Sequence, residues 1–269
     1  MTQRILVTGA ASGFGAALVR RLTARGDHVL VTDLADNHPV PDGASYQRLD
    51  VTSPQDWDRA RQWVLDTMGG LDVLINNAGV ATGGRIDFVP HDEWHRVMNI
   101  NVLGVANGCR TFASMFKAAG SGHVVNTASL AGLVHPPAMA SYTATKAAVV
   151  ALSESLRYEL APHGVHVSVI CPSFFRTNLS SSLDDSDPVM TKVARKLIDT
   201  ADLDADQVAG TALAGIDAHK FLILTDRAGR QAYWTKRLLR PVYDRRMFAI
   251  GRRIDTSPDH STTRKKTDR

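Results

Sequence analysis

Short apolar runs alternate with longer amphipathic stretches along most of the chain. The runs fall at residues 4–8, 28–32, 46–49, 71–75, 123–127, 165–170 and 221–225. Each is almost wholly apolar and too short for a helix, as strands buried on both faces of a parallel sheet are. Between them, residues 13–25, 54–68, 92–119, 141–161 and 204–218 carry apolar residues at helical spacing. This alternation predicts an α/β protein: a doubly wound parallel sheet of about seven strands with helices on both faces. No repeat and no linker rich in Pro, Gly or Ser divides the chain, so residues 1–254 are expected to form one domain. From 174 to 200 the periodicity weakens. There the run of Ser180, Ser181 and Ser182 with Asp184, Asp185 and Asp187 predicts a mobile, irregular cover over a binding site. Residues 255–269 lack apolar side chains, and a disordered tail is expected.

Composition narrows the class. Hydrophobic residues make up 44% of 269, enough for a substantial core. The two cysteines, Cys109 and Cys171, stand in apolar stretches and read as buried thiols of a reducing compartment. No apolar run reaches the roughly 20 residues that span a bilayer. The strand-like start at Arg4 leaves no room for a leader, so a soluble, cytoplasmic protein is expected. No metal-ligating set stands out. Charge is uneven: from Lys220 onward 14 Lys or Arg face 5 Asp or Glu, which puts +9 on the tail and −5 on the remainder of a chain of net charge +4. Without a binding motif beside this charge, nucleic acid is not an expected partner. A solvated basic helix, or a patch for an acidic partner or anionic membrane, fits it.

The first strand runs into Thr8-Gly9-Ala10-Ala11-Ser12-Gly13-Phe14-Gly15, and a helix follows at once. Glycines there permit a tight turn and close backbone approach, and the helix N-terminus favours phosphate, so a dinucleotide pyrophosphate is the expected ligand. Asp33 ends the second strand, 18 residues past Gly15. Its carboxylate suits ribose hydroxyls and repels a 2′-phosphate, and Leu34-Ala35-Asp36 supplies no cation to hold one. NAD is therefore expected over NADP. Tyr142 and Lys146, four apart on a predicted helix, share a face. A phenol near pKa 10 is a poor base at neutral pH; a nearby ammonium is expected to lower that value and make Tyr142 a general acid/base. Ser129 follows the strand at 123–127, at the carboxyl edge where such sheets bind ligands. Asn101 sits in mid-helix, where its propensity is poor.

Taken together, Thr8-Gly-x-x-x-Gly13-x-Gly15, Asn76-Asn77-Ala78-Gly79, Asn101, Ser129 and Tyr142-x-x-x-Lys146 resemble the short-chain dehydrogenase/reductase family in order and spacing. The resemblance covers residues 4–177 closely. It implies a Rossmann-like fold and an alcohol dehydrogenase or ketone reductase with Asn101, Ser129, Tyr142 and Lys146 as its catalytic set. Ser129 would hold the substrate oxygen, and Asn101 a water that links Lys146 to solvent. It further implies cofactor contacts at Gly9, Ser12, Gly13, Phe14, Gly15 and Asp33. Asp50 and Val51 would flank the adenine, Asn77, Ala78 and Gly79 the adenosine side, and Tyr142, Lys146, Pro172 and Thr177 the nicotinamide. Ser173 stands where most relatives carry Gly. Apolar walls at Val134, Met139, Phe174, Phe175 and Leu179, with Ser129, imply a hydrophobic or aromatic secondary alcohol or ketone; dihydrodiol and sterol specificities fit equally. His135, with no carboxylate placed to orient it, is expected to face solvent or stand behind the site.

The same residues speak against two rivals. A non-catalytic NAD-binding sensor or scaffold has no need of the four polar residues together, and a sugar-nucleotide epimerase carries a larger substrate domain. The resemblance implies a homodimer or homotetramer, with the long helices ending near Ala119 and Ala161 as the dimer contact. Past residue 225 the chain departs from the family: residues 230–240 and 241–248 alternate apolar and basic positions at helical spacing. Such a helix would cover the pocket, pack on a partner subunit, or lie on a membrane surface.

Overall fold

In the computed structural model, which describes residues 2–183 and 185–255, β1 (Arg4–Thr8) and β2 (His28–Asp33) pair in parallel, with Val7 opposite Val31. Five further strands complete the sheet: β3 (Ala44–Arg48), β4 (Val73–Asn76), β5 (Gly122–Thr127), β6 (Val165–Ile170) and β7 (Leu222–Ile223). Their order is β3-β2-β1-β4-β5-β6-β7, and every pairing is parallel. The chain builds outward one way from β1 and then the other way from β4. The crevice at the carboxyl ends of those two strands is thus a topological switch point, where doubly wound sheets bind ligands.

Strand alternation divides the core. Ile5, Val7, Val29, Val31, Val73 and Ile75 face α1 (Gly13–Ala24) and α8 (Ala205–Asp217). Their neighbours Leu6, Leu30, Leu74, Val124 and Val167 face the other layer. That layer holds α2 (Pro54–Trp63), α4 (Gly104–Ala119) and α6 (Ala140–Leu160). Trp57 and Phe112 meet edge-on at its centre, 6.4 Å between rings, both essentially inaccessible. Cys109 and Cys171 are buried free thiols. Among the described residues, no helix is long and apolar enough to cross a membrane.

The helix expected at 92–119 is α3 (His91–Met98) and α4 joined through a wider π-helical turn at Asn99–Leu103. Such a turn commonly marks a functional position, and Asn101 lies in it. The stretch at 54–68 likewise ends in a π turn, Val64–Met68. Ala131–Val134 forms a short α5 after β5.

The irregular reading of 174–200 requires correction. Its second half is helix α7 (Pro188–Asp199), which Asp187 caps by accepting from the Met190 N–H, with Pro188 in the first turn. Asp187 is wholly buried and not part of a mobile run. Arg85 donates to it three times: from its backbone N at 3.0 Å, Nε at 2.8 Å and Nη2 at 2.9 Å. Asp185 is exposed and pairs with Arg195 at 3.4 Å, and Asp184 lies outside the described residues. So do residues 256–269, nearly all of the expected disordered tail.

The single helix expected near the C-terminus is in fact two, α9 (Arg227–Leu238) and α10 (Arg240–Asp255). Leu239 between them is non-helical (φ −123°, ψ 50°). Pro241 explains the break, since it lacks the N–H an unbroken helix would need and clashes with the preceding turn.

Two outcomes test this packing. Phe112→Ala should cost about 3–5 kcal/mol in chemical denaturation, since it empties a core position that cannot collapse fully. The buried pair gives a pH signature. Burial would lift the Asp187 pKa, but the side-chain bond from Arg85 and the N–H groups of Arg85 and Met190 hold it below its ordinary 3.8. A depressed carboxyl contributes stability above the unfolded value and loses it as pH falls through the folded one. Arg85→Met, which leaves the carboxylate buried without its cation, should cost about 3–5 kcal/mol at neutral pH. Its Tm deficit against wild type should narrow as pH drops below about 4, and a pH-independent deficit would contradict the latch.

Candidate active site

A cavity of about 600 Å³ opens at the switch point. All residues expected to hold cofactor or substrate line it except Asn101.

At one end is the turn from β1 into α1. Gly9 and Gly13 adopt positive φ (61° and 54°), a region open to glycine at little cost. At Gly15 the constraint is space: a Cβ there would come within 2.4 Å of the Gly9 carbonyl oxygen and 2.6 Å of Asn77 Nδ2. The N-cap Ser12 makes no side-chain cap, and the first turn of α1 holds no acidic residue. Its N–H groups, unpaired within any helix start, therefore present a positive end to the cavity. The cradle fits a pyrophosphate.

Thr8 holds this turn in place. Its Oγ1 accepts from both the Asn77 and Ala78 N–H groups at 3.0 Å. Asn77 Nδ2 returns bonds to the carbonyls of Thr8 (2.9 Å) and Gly9 (3.0 Å). The side chain of Asn77 thus serves the loop. In the sequence Thr8 reads only as the start of the glycine motif, because its partners lie 69 and 70 residues away.

Asp33 accepts from Ala11 N at 2.9 Å and Leu34 N at 2.8 Å. It caps the loop, and a carboxylate has about four acceptor positions, so capacity remains toward the cavity. Asp50 accepts from Thr52 N and Oγ1, and the Val51 carbonyl from Trp57 Nε1, which fixes the wall beyond Asp33.

At the far end lie Ser129, Tyr142 and Lys146. Ser129 leaves β5 with Oγ accepting from Ala131 N (3.1 Å). Tyr142 and Lys146 share a face of α6 and are both buried, with Lys146 Nζ 5.8 Å from the centre of the Tyr142 ring. Nζ donates to the Thr127 carbonyl at 3.0 Å. The expected lowering of the Tyr142 pKa is reversed. Burial pushes the phenol up to about 12, against the pull of the Ser129 hydroxyl, and burial brings the Lys146 ammonium down to about 8. Desolvation disfavours each charged form, and for both groups burial is the largest influence.

Asn101 stands behind the wall, wholly buried. Its Oδ1 accepts from Val80 N (2.9 Å), and Nδ2 donates to the Val80 carbonyl (3.0 Å) and Thr145 Oγ1 (3.3 Å). It ties the segment after β4 to α6.

Val134, Met139, Phe174, Phe175 and Leu179, the expected substrate walls, line the cavity together with Leu183, Ala194 and Ile198. The last two come from α7, which sequence pattern left irregular. Phe175 also packs edge-on against Phe14 at 5.8 Å. Among the described residues, Lys146 is the only cation on this lining. His135 is exposed and off the lining; its Nδ1 lies 2.7 Å from Lys236 Nζ, which also donates to the Leu133 carbonyl at 2.6 Å. Tyr243 donates to the Val134 carbonyl. Ser173 donates to Asp226 Oδ2 at 2.5 Å, and Asp226 caps α9. The C-terminal helices thereby grip both sides of the cavity wall.

Comparison with known proteins agrees with this geometry. The family described as short chain dehydrogenase matches residues 3–188. A 3-alpha-(or 20-beta)-hydroxysteroid dehydrogenase of Mycobacterium tuberculosis is 38% identical over 181 residues, 65% of this chain and 70% of its own. A 2-(R)-hydroxypropyl-CoM dehydrogenase of Xanthobacter autotrophicus is 34% identical over 235 residues, 81% of this chain and 93% of its own. The crystal structure of a short chain dehydrogenase/reductase from Burkholderia phymatum in complex with NAD superimposes with a TM-score of 0.81 at 28% identity, covering 88% of this chain and 93% of that one. With a parallel seven-stranded sheet, a glycine turn at its switch point and Ser129, Tyr142 and Lys146 at the other end of one cavity, the chain belongs to the short-chain dehydrogenase/reductase family, oxidoreductases that act on hydroxyl and keto groups with NAD or NADP.

Proposed function

We propose that the protein is an NAD-dependent dehydrogenase of apolar or aromatic secondary alcohols, working in reverse as a ketone reductase. The observation that carries this reading is the cavity itself: a carboxylate, Asp33, at its nucleotide end, and Tyr142 and Ser129 at an otherwise apolar end. Asp33 favours a ribose diol over a 2′-phosphate by charge, and the Burkholderia phymatum relative is in complex with NAD. Among the described residues, the proposed substrate walls offer no cation to a phosphorylated or carboxylated metabolite. The Mycobacterium tuberculosis relative is named for hydroxysteroids, a bulky apolar class of the kind these walls suit.

In this reading Gly9, Ser12, Gly13, Phe14 and Gly15 hold the pyrophosphate. Asp33, Asp50 and Val51 hold the adenosine, with Asn77, Ala78 and Gly79 beside it, and Pro172 and Thr177 flank the nicotinamide. When bound, the cofactor supplies the hydride acceptor or donor and, oxidised, a positive ring. Ser129 Oγ orients the substrate oxygen by hydrogen bonding. Tyr142 Oη takes the hydroxyl proton during oxidation and returns it during reduction. Lys146 stabilises the phenolate that Tyr142 presents before it takes the proton in oxidation and is left with after it gives the proton up in reduction. Asn101 fixes Val80 against α6 so that Lys146 keeps its place. Leu183, Ala194 and Ile198 exclude water. A phenol raised by burial to about 12 stays protonated at neutral pH. The phenolate that oxidation needs is therefore scarce, and oxidation should quicken as pH rises. The protonated form that reduction needs is already filled, and reduction should stay level through neutral pH.

The test is reduced-nicotinamide absorbance with a panel of apolar and charged secondary alcohols. Turnover with NAD and apolar alcohols is expected, and Tyr142→Phe should lower kcat by about 10²–10⁴-fold. Preferred turnover of charged alcohols would overturn the substrate class. NAD bound tightly without turnover of any alcohol or ketone would favour a sensor. Asp33→Asn, which removes the charge and keeps an acceptor, should shift the NADP:NAD ratio of kcat/KM about tenfold toward NADP, equivalent to ~1.4 kcal/mol.

A further inference from the structure

Residues 189–269 lie beyond the stretch matched to the family, and α9 and α10 end the described part of this region. They meet at Leu239 in a convex elbow where every residue from 237 to 242 is exposed. Trp234, Leu238, Leu239 and Val242 are there half or more exposed, Leu238 reaching 70%. Trp234 and Leu238, four apart, share one face of α9. Exposed apolar side chains scattered singly need no explanation, but a cluster at one corner marks an interaction site. Arg237, Arg240, Arg245 and Arg246 are exposed around the same corner. Across 227–255 nine arginines and lysines face two acids, one of which, Asp244, is taken by Arg240 at 2.7 Å.

We propose that this elbow docks on an anionic lipid surface, with the apolar side chains entering the headgroup boundary and the arginines on lipid phosphates. Charge selects this occupant. A second copy meeting the same face about a two-fold axis would bring these arginines against their own images. The −5 carried by residues before Lys220 orients the molecule in the field of a negative surface, basic corner inward and body outward. Lys236 and Tyr243, on the two arms of the elbow, bond the carbonyls of Leu133 and Val134. Docking therefore sets the lipid beside the wall of the cavity, where an apolar molecule dissolved in it has a short way to travel.

Flotation of the full chain with phosphatidylcholine vesicles, with and without phosphatidylglycerol, tests the proposal. Binding is expected only to vesicles holding phosphatidylglycerol and should weaken as salt rises. The emission of Trp234, the one exposed tryptophan among the described residues, should shift to the blue on binding. Leu238→Ser with Leu239→Ser, and separately Arg245→Glu with Arg246→Glu, should each abolish flotation while keeping the wild-type Tm. Equal flotation with neutral vesicles, or flotation that survives both pairs of substitutions, overturns the proposal. A dimer in sedimentation that the Leu238/Leu239 pair dissolves, without flotation, overturns it in favour of a second copy. Binding to polyglutamate without flotation overturns it in favour of an acidic protein.

Discussion

Thr8 Oγ1 accepts two backbone N–H groups from the segment that follows β4, on the far side of the sheet's reversal point, and Asn77 answers with two bonds to the carbonyls of the glycine turn. This exchange crosses the place where the sheet has least covalent reason to be closed, since the chain leaves β1 in one direction and β4 in the other. Without it the turn's carbonyls at Thr8 and Gly9 would need partners from solvent, and an unpaired buried carbonyl is costly. With it, the N-terminus of α1 is aimed into the cavity. The bonds from Asn101 to Val80 and from Lys146 to Thr127 continue the bracing along the carboxyl edge toward Tyr142.

The other governing term is desolvation. The apolar lining of the cavity strips water from Tyr142 and Lys146, which raises the cost of charging either one. A site of this kind trades the ionic form of its acid/base for an environment in which a positioned positive charge acts with little screening. The same trade is visible at Arg85 and Asp187, where charge is buried and fully answered by geometry, and where the pair latches the cover of the cavity to the segment after β4.

Local pattern carried much of this into view. The two-residue alternation of Ile5, Leu6 and Val7 names the faces of the sheet, and the glycine turn with Asp33 behind it marks the nucleotide end. Other features depend on what sequence pattern does not hold. Asp187-Pro188 is a sound helix start, cap then proline, but the serines and acids before it masked the helix it opens. Arg85 and Asp187 are 102 residues apart, and nothing local joins them. Pro241 was plain to read, yet its effect, two helices and an exposed corner in place of one helix, depends on where α9 is anchored. The spacing of Tyr142 and Lys146 gave their shared face but not their depth, and depth set the direction of both pKa shifts.

Lys236 and Tyr243 bond the carbonyl groups of Leu133 and of Val134, the second of which lines the cavity, and not their side chains. A carbonyl is the same whichever residue bears it. The side chain at Val134, which lines the cavity, can therefore change without removing the bond that holds its backbone, so the shape of the cavity at that point is separable from the architecture that supports it.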